Sequence, residues 1–233
     1  MNRVLLASWL PPSPAKRLLK TDLFDEAFGE GLYPLLMSRA RCVIGTDLSP
    51  SAFQAARARW SGLTGAAADV RHLPFAGGAF DCVVSNSTLD HFESVGDIGA
   101  SLQELYRVLE PGSRLLLTLD NRANPVIALR SVLPFRLLST LGLVPYYVGA
   151  TCGPRRLCRL LRRVGFEVLE IGAVMHCPRV FAVPAARLLE RHTLPRTQRR
   201  FLRLLLAFER LGAWPTRFLT GHFVAVSAIK PSP

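Results

Sequence analysis

The sequence predicts an α/β protein built on a mainly parallel sheet. Three observations lead there. Residues 17–120 alternate short apolar runs with helix-length segments, the pattern of successive βαβ units. Three of those runs read as fully buried strands bounded by turn residues. The length of 233 residues, with 49% hydrophobic and 20% charged residues, suits one domain with a sizeable core and excludes disordered or disulfide-scaffold classes.

Taken in chain order, residues 1–16 read as an N-terminal arm, because the opening MNRVLLASWLPPSPAKR lacks the full apolar stretch and cleavage site of a secretion signal. A first strand is expected at 17–24 (RLLKTDLF) and a second at 41–46 (RCVIGT). A helix follows at 51–60 from a Ser-Pro start. Residues 80–85 (FDCVVS) form the next strand, and 96–109 a helix with Ile98, Leu102, Leu105 and Leu109 on one face. Glu110-Pro111-Gly112 ends that helix, and 114–119 (RLLLTL) returns to the sheet.

Residues 17–121 are thus the core of the fold, and 122–153, where prolines and glycines punctuate apolar pieces, read as a helical cap inserted into it. The remainder, 154–233, holds a helix at 154–164, a strand at 166–174, a helix at 195–214 and an alternating strand at 222–230 (HFVAVSAIK). The 195–214 helix sets Phe201, Leu204, Leu205, Phe208 and Leu211 against Arg199, Arg203 and Arg210. A strand, a helical excursion and a final strand form an antiparallel closing pair.

The net charge of +12 is concentrated in the second half of the chain. Residues 1–129 carry 12 Lys+Arg against 13 Asp+Glu, and residues 130–233 carry 17 against 4. That asymmetry favours an anionic surface, a nucleic acid or an acidic substrate as partner, the plainer alternative being an Arg-heavy composition that reflects the genome's. The basic half lacks a recognisable nucleic-acid module, so nucleic acid is disfavoured. The amphipathic segment 198–214 is suited instead to peripheral contact with an anionic membrane, or to a core helix with a solvated arginine face. Five cysteines without a CxxC pair imply reduced thiols and a cytoplasmic setting, and no apolar run is long enough to span a bilayer.

The most informative stretch is VIGTDLSPSAFQAAR, residues 43–57, where an apolar strand ends in Asp47 and a helix begins. An acidic residue at the C-terminal end of a strand in an open α/β sheet points into the ligand crevice and can bind both hydroxyls of a ribose; the plainer alternative is a turn or N-cap Asp. Asp69 and Val70 then sit in a loop before the next strand, where a carboxylate can accept from an exocyclic amine while an apolar side chain packs on the ring.

In order and spacing, GTDLSPSAFQAAR, ADVRHLPFAGGAFDCVVSNSTLDHF and ELYRVLEPGSRLLLTLDN resemble the class I S-adenosylmethionine-dependent methyltransferases of the type 11 group, which includes quinone, small-molecule and natural-product methylators. The matched stretches cover roughly residues 41–121, about a third of the chain. The resemblance implies a Rossmann-like seven-stranded sheet, mostly parallel with an antiparallel last strand, and S-adenosyl-L-methionine as cofactor. It implies that Asp47 holds the ribose, Leu48 flanks the adenine, Asp69 and Val70 read the adenine edge, and Asn86 and Ser87 lie beside the methionine moiety. His91, in LDHF, falls where relatives carry a His; it is the expected base if the acceptor is a phenol, hydroxyl or carbon acid, or else a packing residue. His176 and the pair Tyr146 and Tyr147 are more distant candidates for the acceptor pocket.

One segment departs from the family pattern. Relatives place a glycine-rich loop directly after the first strand, because glycine lets the backbone approach the cofactor. Here the segment reads LLKTDLFDEAFGEGLYPLL, with Thr21, Asp22, Phe24 and Glu26 near the expected loop and Gly29 and Gly31 late. Either the loop is remodelled, with Asp22 or Glu26 accepting from the cofactor's amino group, or cofactor binding is weakened or lost. The expected function is therefore methyl transfer to a small, lipophilic acceptor, and the alternative is a non-catalytic binding or scaffold protein on the same fold. The five histidines include no helical i, i+4 metal pair, and hydrolase, phosphate-loop and zinc-protease motifs are absent, so no metal is expected.

Overall fold

A computed structural model describes residues 3–140, 149–178 and 195–233, together with residues 182, 185, 186, 188 and 189. Seven strands form one sheet: β1 (Leu18–Thr21), β2 (Val43–Asp47), β3 (Thr64–Ala67), β4 (Phe80–Asn86), β5 (Leu109–Asp120), β6 (Glu167–Val174) and β7 (Phe223–Ile229). Their order is β3-β2-β1-β4-β5-β7-β6. The first five run parallel, and β7 lies antiparallel to both β5 and β6, the closing pair that the alternating C-terminal strand implies.

The central strands are apolar on both faces, so successive residues enter opposite halves of the core. Leu19, Val83, Leu115, Leu117, Val224 and Val226 face one half, where α5 (Val95–Val108) and α8 (Pro154–Val164) pack. Leu18, Cys82, Val84, Leu116 and Ala225 face the other, against α1 (Arg3–Trp9), α3 (Tyr33–Met37) and α4 (Pro50–Arg59). Helix starts follow local chemistry. Ser49 caps α4 by accepting from the Ala52 N–H at 3.3 Å ahead of Pro50, and Ser94 and Asp97 close a reciprocal capping box on α5. Gly165, at φ +114°, ends α8 in the left-handed conformation that glycine tolerates.

Several boundaries differ from the sequence expectation. The arm contains α1, held by burial of Leu6 and Trp9. Strand β3 (TGAA) carries no apolar run; it forms because Gly65 lets it approach β2, where an added Cβ would lie 1.8 Å from the Gly45 carbonyl oxygen. Strand β5 starts at Leu109, immediately after α5, so Glu110-Pro111-Gly112 lies within the strand's span. The cap expectation covers α6 (Pro125–Val132) and α7 (Phe135–Thr140). In the basic half, the expected long helix divides into α9 (Pro195–Ala207) and a 3-10 segment, Phe208–Ala213, before the short α10 (Arg217–Thr220). Among the described residues, no helix is long and apolar enough to cross a membrane.

Candidate functional site

Strands β1, β2 and β4 all end at one edge of the sheet, and the loops that leave them enclose a cavity of about 390 Å³. Parallel strands direct ligands to this edge because their C-terminal loops converge there.

Asp47, the last residue of β2, lies on the cavity wall. Its Oδ2 accepts from the Leu23 N–H at 2.9 Å and its Oδ1 from the Ser49 N–H at 2.7 Å. Two backbone donors fix the carboxylate, and each oxygen keeps a further lone pair for ligand hydroxyls. Leu48 lines the same cavity with 69% of its surface exposed. Val70 lines it from the core side.

Asp69 also reaches the cavity, but Arg71 engages it. The Arg71 Nε lies 3.1 and 3.0 Å from the two carboxylate oxygens, its Nη2 lies 2.6 Å from Oδ2, and its backbone N–H donates to Oδ1 at 2.8 Å. These hydrogen bonds hold the Asp69 carboxyl below the usual carboxylate range. Arg71 is itself set by Asp97, at 2.9 Å, and by the Phe92 ring, whose centroid is 4.7 Å away. Any amine read by Asp69 therefore shares its oxygens with Arg71.

At the end of β1, an ion pair shapes the segment where relatives use glycines. The Lys20 Nζ lies 2.9 Å from Glu26 Oε2 with both side chains buried, and also donates to the Asp22 carbonyl. Glu26 Oε1 accepts from the Leu32 N–H at 2.7 Å, so the pair ties the β1 end to α2 (Phe24–Phe28) and the turn beyond. Asp22 lines the cavity and accepts from the Phe24 N–H at 2.8 Å; burial raises its carboxyl above the usual range against the lowering effect of Lys20. Thr21 joins it on the wall, 2.9 Å from both Ser85 Oγ and Thr88 Oγ1.

Several residues expected at the site lie outside the cavity lining. Glu26 is wholly buried against Lys20 and does not line the cavity. Phe24 does not line it and is 61% exposed, with its ring 5.1 Å from that of Phe28. Asn86 and Ser87 do not line it either. Asn86 accepts from Thr118 Oγ1 at 2.9 Å, and the Ser87 N–H donates to the Thr118 carbonyl at 3.1 Å, so both lock β4 to β5. His176 is buried beyond β6. Its Nδ1 lies 2.8 Å from Thr220 Oγ1 and its Nε2 3.0 Å from the Ala173 carbonyl oxygen. Four strand spacings, about 19 Å, separate β6 from β1, so His176 lies away from the cavity beside Asp47. Tyr146 and Tyr147 lie outside the described residues. His91 is exposed on the cavity wall.

Sequence reading missed Thr46, Ser49, Arg71, Thr88 and Phe92, all of which line the cavity. It also missed an acidic cluster at the ends of β4 and β5. Asp120 there binds Arg130 of α6 and lies 3.4 Å from the His222 Nε2, while Asp90 Oδ2 accepts from the Asp120 N–H at 3.0 Å. Burial and the neighbouring Asp120 charge push the Asp90 carboxyl up to about 7. Asp120 carried the same signal as Asp47, an acidic residue ending an apolar strand. Among the described residues, no group of three or more His, Cys, Asp or Glu is placed to hold a metal ion.

Residues 24–117 match a methyltransferase-domain family model, from the start of α2 to within β5. The demethylmenaquinone methyltransferase of Corynebacterium kroppenstedtii is 34% identical over 125 residues, 53% of this chain and 49% of that protein. The alignment thus spans about half the length of that relative. Among solved structures, the [4+2]-cyclase SpnF superposes with a TM-score of 0.65 at 19% identity, covering 99% of this chain and 81% of that one. An S-adenosylmethionine-dependent methyltransferase from Mesorhizobium loti superposes with a TM-score of 0.63 at 19% identity, covering 97% and 96%. At these identities the structures establish the fold.

Proposed function

We propose that this chain is a class I S-adenosylmethionine-dependent methyltransferase that transfers the methyl group of S-adenosyl-L-methionine to a small, lipophilic acceptor, a reading supported by the methyltransferase-domain match over residues 24–117 and by the shared fold. The observation that carries the proposal is the cavity of about 390 Å³ beside Asp47, within the usual size of cofactor pockets and not filled by the bulky residues of the β1 loop. A scaffold that had lost its cofactor would have no need of that space.

The residues present fit the cofactor's chemistry. Asp47, held by two backbone N–H groups, offers paired acceptors to vicinal hydroxyls. Leu48 and Val70 supply apolar surface for a purine, and Asp69, shared with Arg71, offers an acceptor at its edge. Asp22 takes the place of the missing glycine loop as acceptor for an ammonium group, on a backbone fixed by the Lys20–Glu26 pair. When bound, the cofactor supplies an activated methyl on a sulfonium, so little covalent help is required of the protein. The chain's task is to hold the acceptor atom about 3–3.5 Å from the methyl carbon and to exclude water. His91, on the cavity wall, takes the proton if the acceptor is a phenol, hydroxyl or carbon acid.

A lipophilic acceptor is supported by the quinone-class name of the relative from Corynebacterium kroppenstedtii. Peripheral contact with an anionic membrane, the source of such an acceptor, is supported by the arginine-rich second half. Calorimetric titration with S-adenosyl-L-methionine and S-adenosylhomocysteine tests the proposal. Micromolar binding that Asp47→Ala abolishes is the expected result; no binding at millimolar ligand would leave the scaffold reading in its place.

A further inference from the structure

Helix α8 (PRRLCRLLRRV) carries five arginines and no acidic residue. Burial of Leu157 and Leu161 fixes its orientation, and Arg155, Arg159 and Arg162 then recur at i, i+4 and i+7 along one exposed stripe. Among the described residues, none of the five forms an ion pair. Like charges at this spacing destabilise a helix. The helix dipole favours Arg162 and Arg163 in the last turn, but it opposes Arg155 and Arg156 in the first. The described residues therefore provide no compensating charge for the N-terminal arginines, and an external anion would.

Four of these arginines, Arg155, Arg159, Arg162 and Arg163, line an open groove of about 780 Å³ whose apolar side is formed by Ile171 of β6 and Phe218 of α10. Arg217 stacks on the Phe218 ring at 5.0 Å, which adds a further cation beside the groove. We propose that this groove binds the phosphate headgroups of anionic phospholipid and seats the α8 flank on a bilayer surface. Guanidinium forks match phosphate oxygens in pairs, and the apolar wall accepts the glycerol and first methylenes of the lipid. The apolar wall, together with exposed Leu202, Leu204, Leu206 and Trp214 in the other arginine-rich segment, suits a surface with an acyl interior better than a duplex. The inference deepens the membrane reading above by assigning the headgroup contact to α8, and vesicle binding by this groove does not require methyl transfer.

The test is co-sedimentation of the full chain with phosphatidylcholine vesicles with and without 30 mol% phosphatidylglycerol, at roughly 50 mM salt. Binding only to the anionic vesicles is expected. The double variant Arg159→Gln/Arg162→Gln is expected to weaken it about 30-fold, the equivalent of ~1 kcal/mol per arginine near an anionic surface. Arg41→Gln/Arg57→Gln, which removes the same charge outside the groove, is expected to change it less than about threefold. Equal losses in the two double variants would mean that bulk charge attracts the protein, and would overturn the groove assignment. Absence of binding to anionic vesicles would overturn it too, as would full displacement by millimolar inorganic phosphate, which would indicate a soluble phosphate ligand. Thermal melting of each variant confirms folding. Calorimetry with S-adenosylhomocysteine on the same samples reports separately on the cofactor reading, whose failure would leave vesicle binding unaffected.

Discussion

Lys20 and Glu26 form an ion pair at 2.9 Å with both side chains buried, where the class I methyltransferases that the sequence resembles place glycines. A glycine loop is shaped by what its backbone can reach. This loop is shaped by a charge pair that binds the β1 end, the Asp22 carbonyl and the Leu32 N–H into one unit. Removing one partner leaves the other charge buried without compensation. Glu26→Ala is therefore expected to cost about 3–5 kcal/mol in urea unfolding, and Lys20→Met/Glu26→Leu less than the single change, because the double removes both desolvated charges.

The two backbone hydrogen bonds to Asp47 predict that its side chain contributes to both the loop and the ligand. Asp47→Asn retains one acceptor and removes the charge. Cofactor affinity is expected to fall at least about tenfold, since hydrogen bonds to a charged group contribute roughly 1.5–3 kcal/mol each. Calorimetry with S-adenosylhomocysteine reads this directly. An unchanged affinity would remove Asp47 from the binding site.

Asp90 makes stability depend on pH in a defined direction. Its carboxyl is raised to about 7 in the folded chain by burial and then by Asp120, while an unfolded Asp titrates near 4. Between those values the folded state binds more protons, so the stabilisation is complete below about pH 4 and is lost as pH rises through 7. Urea midpoints are expected to fall from pH 5 to pH 8. Asp90→Asn, which can still accept from the Asp120 N–H, is expected to flatten that decline.

Substitution of two histidines is expected to separate reaction chemistry from packing. His91→Gln is expected to lower turnover of a phenolic or carbon-acid acceptor by about 10²–10⁴-fold, while S-adenosylhomocysteine affinity changes little. His176→Gln has the opposite profile: turnover per folded molecule is retained, and the unfolding midpoint drops because the contacts to Thr220 and Ala173 are disturbed. Initial rates and denaturation curves on the same samples distinguish the two. Loss of turnover with His176 and not with His91 would reverse the assignment.

Much of this molecule was legible in the chain because its signals are contiguous. The apolar runs of β2, β4 and β5, the Ser-Pro start of α4 and the strand-terminal Asp47 each lie within a few residues, where steric periodicity and local hydrogen bonding act without help from the rest of the fold. The weakly encoded β3 was missed for the same reason in reverse. Thr64 to Ala67 have little strand preference of their own and depend on the close approach of Gly65 to Gly45.

By itself, then, the sequence determined the fold class, the sheet's closing pair and the place of Asp47, because these follow from residue spacing along one segment. Only the tertiary structure decided which acidic side chains face the cavity. Asp22 and Glu26 lie four residues apart, yet one lines the wall and the other is sealed against Lys20. Arg71 clamps Asp69, and Asp90 meets Asp120 from a different strand end. Those outcomes depend on which charges can be desolvated together, and that depends on residues brought near one another only when the sheet is assembled.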